Sequence, residues 1–194
     1  ERGIVACLLA AEGMEAPRQV LEGKSGLFSI LTDAPKDQVI ADCLKDLGAT
    51  RLINETYTKL YPCCRYTHPA IEACFTLRPL VGELGDIVSI EVNTFDIAYD
   101  ATAPNPKPQS PAEARFSMHY LVAVALRDGF VGLEDFTEKS IARPEMAELG
   151  AKVVCRATKE WNDQYPDIRG AELRITKQNG EVLSHKTTKL SGMD

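Results

Sequence analysis

Nothing in these 194 residues spells a nucleotide cradle, a metal site or a membrane span. There is no glycine-rich phosphate loop, no dinucleotide fingerprint and no cysteine spacing suited to an iron–sulfur cluster, so no cofactor is expected. Histidine is scarce. The three residues lie scattered at 68, 119 and 185, with no H-x-x-x-H or Cys/His ligand cluster, and a metal site made by this chain is not expected. No run approaches the roughly 18 consecutive apolar residues of a membrane-crossing helix. The opening residues carry neither a basic leader nor a cleavage-site pattern, which makes a cytoplasmic protein with no membrane partner the default expectation. Long basic runs are missing too, and 28 acidic against 22 basic side chains leave a net charge of -6. A nucleic-acid surface is therefore excluded, and any anionic ligand would need a local field to capture it. Six cysteines show no C-x-x-C spacing, and adjacent Cys63 and Cys64 could form only a strained bridge. They read as reduced, mostly buried thiols.

What is present is a globular composition, 44% hydrophobic, long enough to bury a core. The chain begins without an initiator Met, inside an apolar run that reads as the middle of a helical region. Residues 1–50 read as helical: Ile4 to Glu12 is one segment, Pro17 to Leu21 begins another, and Lys36 to Leu47 repeats apolar residues at helical spacing. Beyond residue 51 the texture is mixed. Ile87 to Val92 alternates as a half-buried strand does, with Val88, Ile90 and Val92 on one face and a bulge or strand end expected near Asn93. Ala103 to Pro111, with four prolines, predicts an extended loop. Ala112 to Asp128 predicts one buried helix stopped by Gly129, on which Arg115 and His119 would sit one turn apart. Gly132 to Ala142 and Pro144 to Leu149 are shorter helical candidates, and Lys152 to Arg156 a strand. Around Gln178-Asn179-Gly180 a hairpin is expected; a three-residue loop with left-handed Gly180 sets Ile175 opposite Leu183 and keeps one face apolar.

The chemistry concentrates between Lys59 and Ala73. Pro69 suits a first helical turn, with Thr67 or His68 as cap and Ile71, Cys74 and Phe75 as the buried stripe. An ammonium, a guanidinium and an imidazole, from Lys59, Arg65 and His68, fall around that helix start in a protein that is acidic overall. Spacing alone commonly means solvated charges and a capping histidine. The alternative is an anion site, in which a buried Lys59 serves as a base, Arg65 grips a carboxylate in a bidentate fork, and a neutral His68 moves protons. Cys64 reads as a structural thiol, Arg115 with His119 as a satisfied polar pair, and Tyr61, Tyr66 and Tyr99 as packing residues.

The run K-x-Y-P-C-C-R-Y-T-H-P-A-I-E-A, the later E-A-R-F-S-M-H-Y-L-V-A-V-A-L-R-D-G with L-E-D-F-T, and the earlier L-E-G-x-x-G-L-F resemble, in order and spacing, the C-terminal half of the MmgE/PrpD family. Its members dehydrate, decarboxylate or epimerise small carboxylic acids without a cofactor. The resemblance implies an α+β fold: a smaller α/β-sandwich domain at 51–190 preceded, at 1–50, by the end of an all-helical domain. It also implies a homodimer and an active site between the two domains, shared with side chains outside this chain. Lys59 matches the lysine that opens the family's active-site loop, and His68 a position often held by histidine. Arg65 and Arg115 would help bind carboxylates. In some members, decarboxylating ones among them, a histidine stands where this chain has Cys64. Tyr99 falls near an active-site tyrosine of the family. The implied function is a lyase that removes an α-proton from a small di- or tricarboxylic acid with loss of water, with epimerisation or decarboxylation as the alternative. A non-catalytic carboxylate-binding module and a purely structural dimerisation domain are the rivals from other classes.

Overall fold

The computed structural model describes residues 2–49 and 51–192. The chain divides into two compact units, 1–56 and 57–194. The boundary expected at residue 50 falls on a residue outside those described.

Among its described residues the first unit holds α1 (Arg2–Ala11), α2 (Leu27–Leu31) and α3 (Lys36–Leu44), and a 3-10 turn at Leu52–Glu55. The helix expected from Pro17 is absent. Residues 18–25 make turns instead, closed by hydrogen bonds such as Gly23 N–H to the Gln19 carbonyl at 3.0 Å. α1 buries none of its residues, and Ile4, Val5, Leu8 and Leu9 are all exposed. Cys7 and Cys43 are exposed as well, against the expectation of mostly buried thiols; only Cys63 and Cys74 are buried.

The second unit contains α4 (His68–Val81), β1 (Ile87–Thr94), α5 (Asp96–Thr102), α6 (Pro111–Ala114), α7 (Met118–Asp128), α8 (Glu138–Ile141), α9 (Pro144–Gly150), β2 (Val153–Ala157), α10 (Lys159–Asn162), β3 (Ala171–Lys177) and β4 (Val182–Thr187). The strands form one mixed sheet in the order β2-β1-β3-β4, with β1 parallel to β2 and antiparallel to β3. α4 lies against β3 and β4, while α7 lies against α4, α9 and β2. Ile90, Val92, Leu173 and Ile175 meet Ile71, Cys74, Leu121 and Leu126 in a single core, all fully buried. Each such aliphatic side chain removed from water contributes about 1.5–3 kcal/mol. Beyond the core, Glu91, Arg156, Glu172 and Arg174 pair as ions along the sheet, with Arg156 Nε 3.2 Å from Glu91. The unit is an α/β sandwich, as the α+β reading requires.

The hairpin has the expected register, with Ile175 opposite Leu183 and Gly180 at φ 83°. Lys177 N–H bonds the Glu181 carbonyl at 2.9 Å, which leaves a three-residue loop. β1 carries a bulge that was not expected, at Val88: the register with β3 shifts between Ile87 and Ser89, and Val88 turns out to solvent at 55% exposure. Phe95 and Ile97 break parity because the strand ends at Thr94, the strand end expected near Asn93, and Asp96 begins α5.

The long buried helix expected over 112–128 is two helices. Ser117, fully buried, caps α7 by accepting from Tyr120 N–H at 3.2 Å while donating to the Asn105 carbonyl at 2.7 Å, and this bond to the proline-rich loop breaks the chain before Met118. Arg115 precedes the break and His119 follows it, so they are not a one-turn pair. The Gly132–Ala142 segment breaks likewise at Thr137, which caps α8. α7 ends on left-handed Gly129 as expected. Arg78 from α4 completes that end, donating to the Leu126 and Arg127 carbonyls at 2.9 and 3.1 Å.

Candidate functional site

The Lys59–His68 segment enters α4 as a chain of tight turns. Thr58 N–H bonds the Gly192 carbonyl at 3.0 Å, and Glu72 accepts from Ser191 N–H at 3.1 Å, so the approach to α4 is tied to residues near 190. Cys64 N–H donates to the Arg115 carbonyl at 2.8 Å, which joins two stretches that lie far apart in the sequence. A 3-10 turn at Arg65–Thr67 leads into His68. Thr67 occupies the cap position, yet its hydroxyl reaches back to the Cys64 carbonyl at 2.8 Å and lies 3.3 Å from Cys63 Sγ, so it does not cap a helix N–H.

His68 is 3% exposed, held edge-on by Tyr61 with ring centroids 4.9 Å apart. Burial, reinforced by the Arg65 and Lys59 charges, lowers its pKa to about 4; the Cys63 and Tyr61 carbonyls only partly offset this. The imidazole is therefore neutral at physiological pH. Its Nε2 is buried and has no hydrogen-bond partner among the described residues. Arg65 lies over the Tyr57 ring, 4.8 Å from its centroid, and its buried Nη1 also lacks an acceptor. A buried N–H without a partner is costly, so it marks a place where an acceptor fits.

Lys59 is exposed, as the solvated-charge reading of the spacing has it and not as the buried base of the alternative, because it lies in an irregular stretch before the first packed element of its unit. Cys63 is the more deeply buried of the two adjacent cysteines. Desolvation pushes its thiol up to about 11 despite the Thr67 hydrogen bond and the Lys59 and Arg115 charges, and it is not a thiolate nucleophile. Cys64 is half-buried. Arg115 stacks on Phe136 at 4.9 Å and donates to the Pro111 carbonyl at 3.1 Å. Tyr99, expected where strand passes into loop, stands on α5, which packs against the 65–67 turn; its side chain is 37% exposed.

The fold thus gathers Lys59, Cys64, Arg65 and His68 at the start of α4, joins Arg115 through a backbone bond, and brings Tyr99's helix alongside. Sequence reasoning missed Tyr57, which supports Arg65, and Arg169, which shares a cavity with it. Neither belongs to a motif, and about a hundred residues separate Arg65 from Arg169. Among the described residues no three His, Cys, Asp or Glu side chains gather as a metal ion would need. No described helix is long and apolar enough to cross a membrane.

The family model of the MmgE/PrpD C-terminal domain matches residues 61–192. The chain is 26% identical over 208 aligned residues to a cis-aconitate decarboxylase of Aspergillus terreus, covering 98% of this chain and 42% of that protein. It is 26% identical over 181 residues to the mitochondrial 2-methylcitrate dehydratase of Yarrowia lipolytica, covering 84% and 34%. With the cis-aconitate decarboxylase of Mus musculus the identity is 24% over 200 residues, covering 99% and 40%. The chain thus spans 34 to 42% of the length of these relatives.

Proposed function

This chain belongs to the MmgE/PrpD family, residues 61–192 being its C-terminal domain, and from that premise we propose that it supplies one wall of the active site of a cofactor-independent lyase. The reaction is removal of a proton α to a carboxylate of a small di- or tricarboxylic acid, followed by loss of water. The observation that carries this reading is His68: a buried, neutral imidazole with an unpaired Nε2, within electrostatic reach of the Arg65 and Lys59 charges. A neutral imidazole in a dry, cationic setting can take or return a proton, while the cations stabilise the negative charge that builds on the carboxylate. In this reading Lys59 and His68 handle protons. Arg65 binds a carboxylate of the substrate through two parallel N–H groups, and Cys64, Arg115 and Tyr99 line the site. Further side chains come from the remainder of the active site, with residues 1–50 as the end of a helical domain and two copies forming a homodimer.

Decarboxylation is the second reading, supported by the similarity to cis-aconitate decarboxylases along nearly all of this chain. Cys64 stands where a decarboxylating member would be expected to carry histidine, which favours the dehydratase.

The test uses the full-length protein in heavy water with citrate-like, aconitate-like and aspartate-like acids, followed by NMR, alongside Lys59→Ala and His68→Gln. Deuterium entry or product formation with one acid, lost in both variants, is the expected result. Turnover unchanged in either variant removes that residue's role. No exchange with any acid by a folded protein favours a non-catalytic carboxylate-binding module.

A further inference from the structure

Beside the His68 site lies a cavity of about 230 Å³ whose walls include Tyr57, Arg65, Arg169, Thr188 and Leu190. It is too small for a nucleotide and large enough for one carboxylate arm of a small acid. Two guanidinium groups from distant parts of the chain share it. Arg65 lies over the Tyr57 ring and keeps a buried, unaccepted Nη1. Arg169 is exposed and close enough to bear electrostatically on Tyr66, the neighbour of Arg65.

The loop that presents Arg169 is fixed rather than incidental. Tyr66 meets Phe95 edge-on at 5.4 Å, and Phe95 stacks on Tyr165 at 4.7 Å, with Trp161 buried in the same cluster. Thr94 Oγ1 donates to the Gly170 carbonyl at 3.0 Å. A Cβ on Gly170 would run into the Trp161 ring and lie 2.5 Å from the Thr187 carbonyl, so only glycine lets the chain pass this close to the sheet. Arg169 is the residue just before that anchor.

Among the described residues one acidic group, Asp167, faces the same cavity. Among the described residues neither arginine comes within ion-pair distance of it or of any other carboxylate, although nine ion pairs form elsewhere. Among the described lining residues two cations stand against one anion, a positive cavity wall in a chain whose net charge is -6. Paired, planar guanidinium donors fit a carboxylate better than an ammonium would.

We propose that Arg65 and Arg169 form a second carboxylate subsite, which takes the distal carboxylate of a di- or tricarboxylic acid and so discriminates against monocarboxylic acids. This rests on the carboxylic-acid reading above and names the residue pair that selects the substrate class. Arg169 is then a specificity-determining residue and takes no part in proton transfer.

The test is calorimetric binding of citrate, propionate and orthophosphate to the full-length protein, in wild-type, Arg169→Gln and Asp167→Asn forms matched for thermal unfolding. The expected result is that Arg169→Gln weakens citrate binding by about tenfold or more, the worth of hydrogen bonds to a charged group, and leaves propionate within about twofold. Asp167→Asn tightens citrate, because it removes a negative charge from the cavity wall. Equal losses for citrate and propionate, or no loss for either, overturn the proposal. So does orthophosphate binding as tightly as citrate with the same sensitivity to Arg169, which marks a general anion site, and so does wild-type protein with no saturable citrate binding. Because binding is read without turnover, a failure of the Lys59→Ala exchange experiment sinks the lyase reading without touching this one, and the reverse holds equally.

Discussion

Lowering the pH from 7 to 5 should destabilise the second unit through His68, and the size of the effect follows from where the imidazole sits. Its ordinary pKa is 6.5, and in the fold it is lowered to about 4 by burial and by the Arg65 and Lys59 charges. Between those values the unfolded chain binds a proton that the folded chain refuses. The contribution is therefore fully present above pH 6.5 and is lost as the pH falls toward 4. The gap of about 2.5, at about 1.4 kcal/mol for each tenfold step in proton affinity, amounts to about 3 to 4 kcal/mol, of which about 2 kcal/mol is gone by pH 5. Urea unfolding followed through Trp161, the chain's single tryptophan and 1% exposed, measures this directly. His119 is also lowered by burial, and acts in the same direction, so the comparison that isolates His68 is wild type against His68→Gln. The stability difference between the two proteins should change by about 2 kcal/mol between pH 7 and pH 5. A difference that stays constant across that range, or an NMR titration of the His68 ring centred near 6.5, refutes the argument that burial and the neighbouring cations keep this imidazole neutral.

Leu121→Ala, in the fully buried centre of α7, should lower unfolding free energy by about 3 kcal/mol in urea titrations, through lost contacts and a residual cavity. Gly180→Ala should cost about 1 kcal/mol on thermal unfolding, since φ 83° is strained for any residue with a Cβ while nothing lies within 4 Å to clash with one. In the native chain, mass-resolved alkylation should modify exposed Cys7 and Cys43 early, whereas Cys63 and Cys74, buried and with their thiols pushed upward, should react only on unfolding.

The local elements with strong periodicity or turn chemistry could be read from the chain alone. The β3–β4 hairpin and its register follow from one apolar face and one Asn-Gly pair, and α4 follows from Pro69 and the Ile71, Cys74, Phe75 stripe. Lys59, Arg65 and His68 were visible as a cationic cluster because they are neighbours in sequence. What local pattern could not reveal was decided by contacts between distant residues. The break at Ser117 depends on a bond to Asn105, which no helical period encodes, and it separated Arg115 from His119. The bulge at Val88 arises from pairing with β3, a strand more than eighty residues further along. Whether His68 is a solvated cap or a neutral buried imidazole depends on Tyr61, Cys63 and Arg65 closing over it, and desolvation is a property of the folded surroundings. The approach of Arg169 to the Arg65 cavity likewise needs Gly170 wedged between Trp161 and Thr187. Spacing along the chain specified which charges lie side by side at the start of α4; only packing, which excludes water and joins segments a hundred residues apart, decided which of them are buried, which are exposed and which share a cavity.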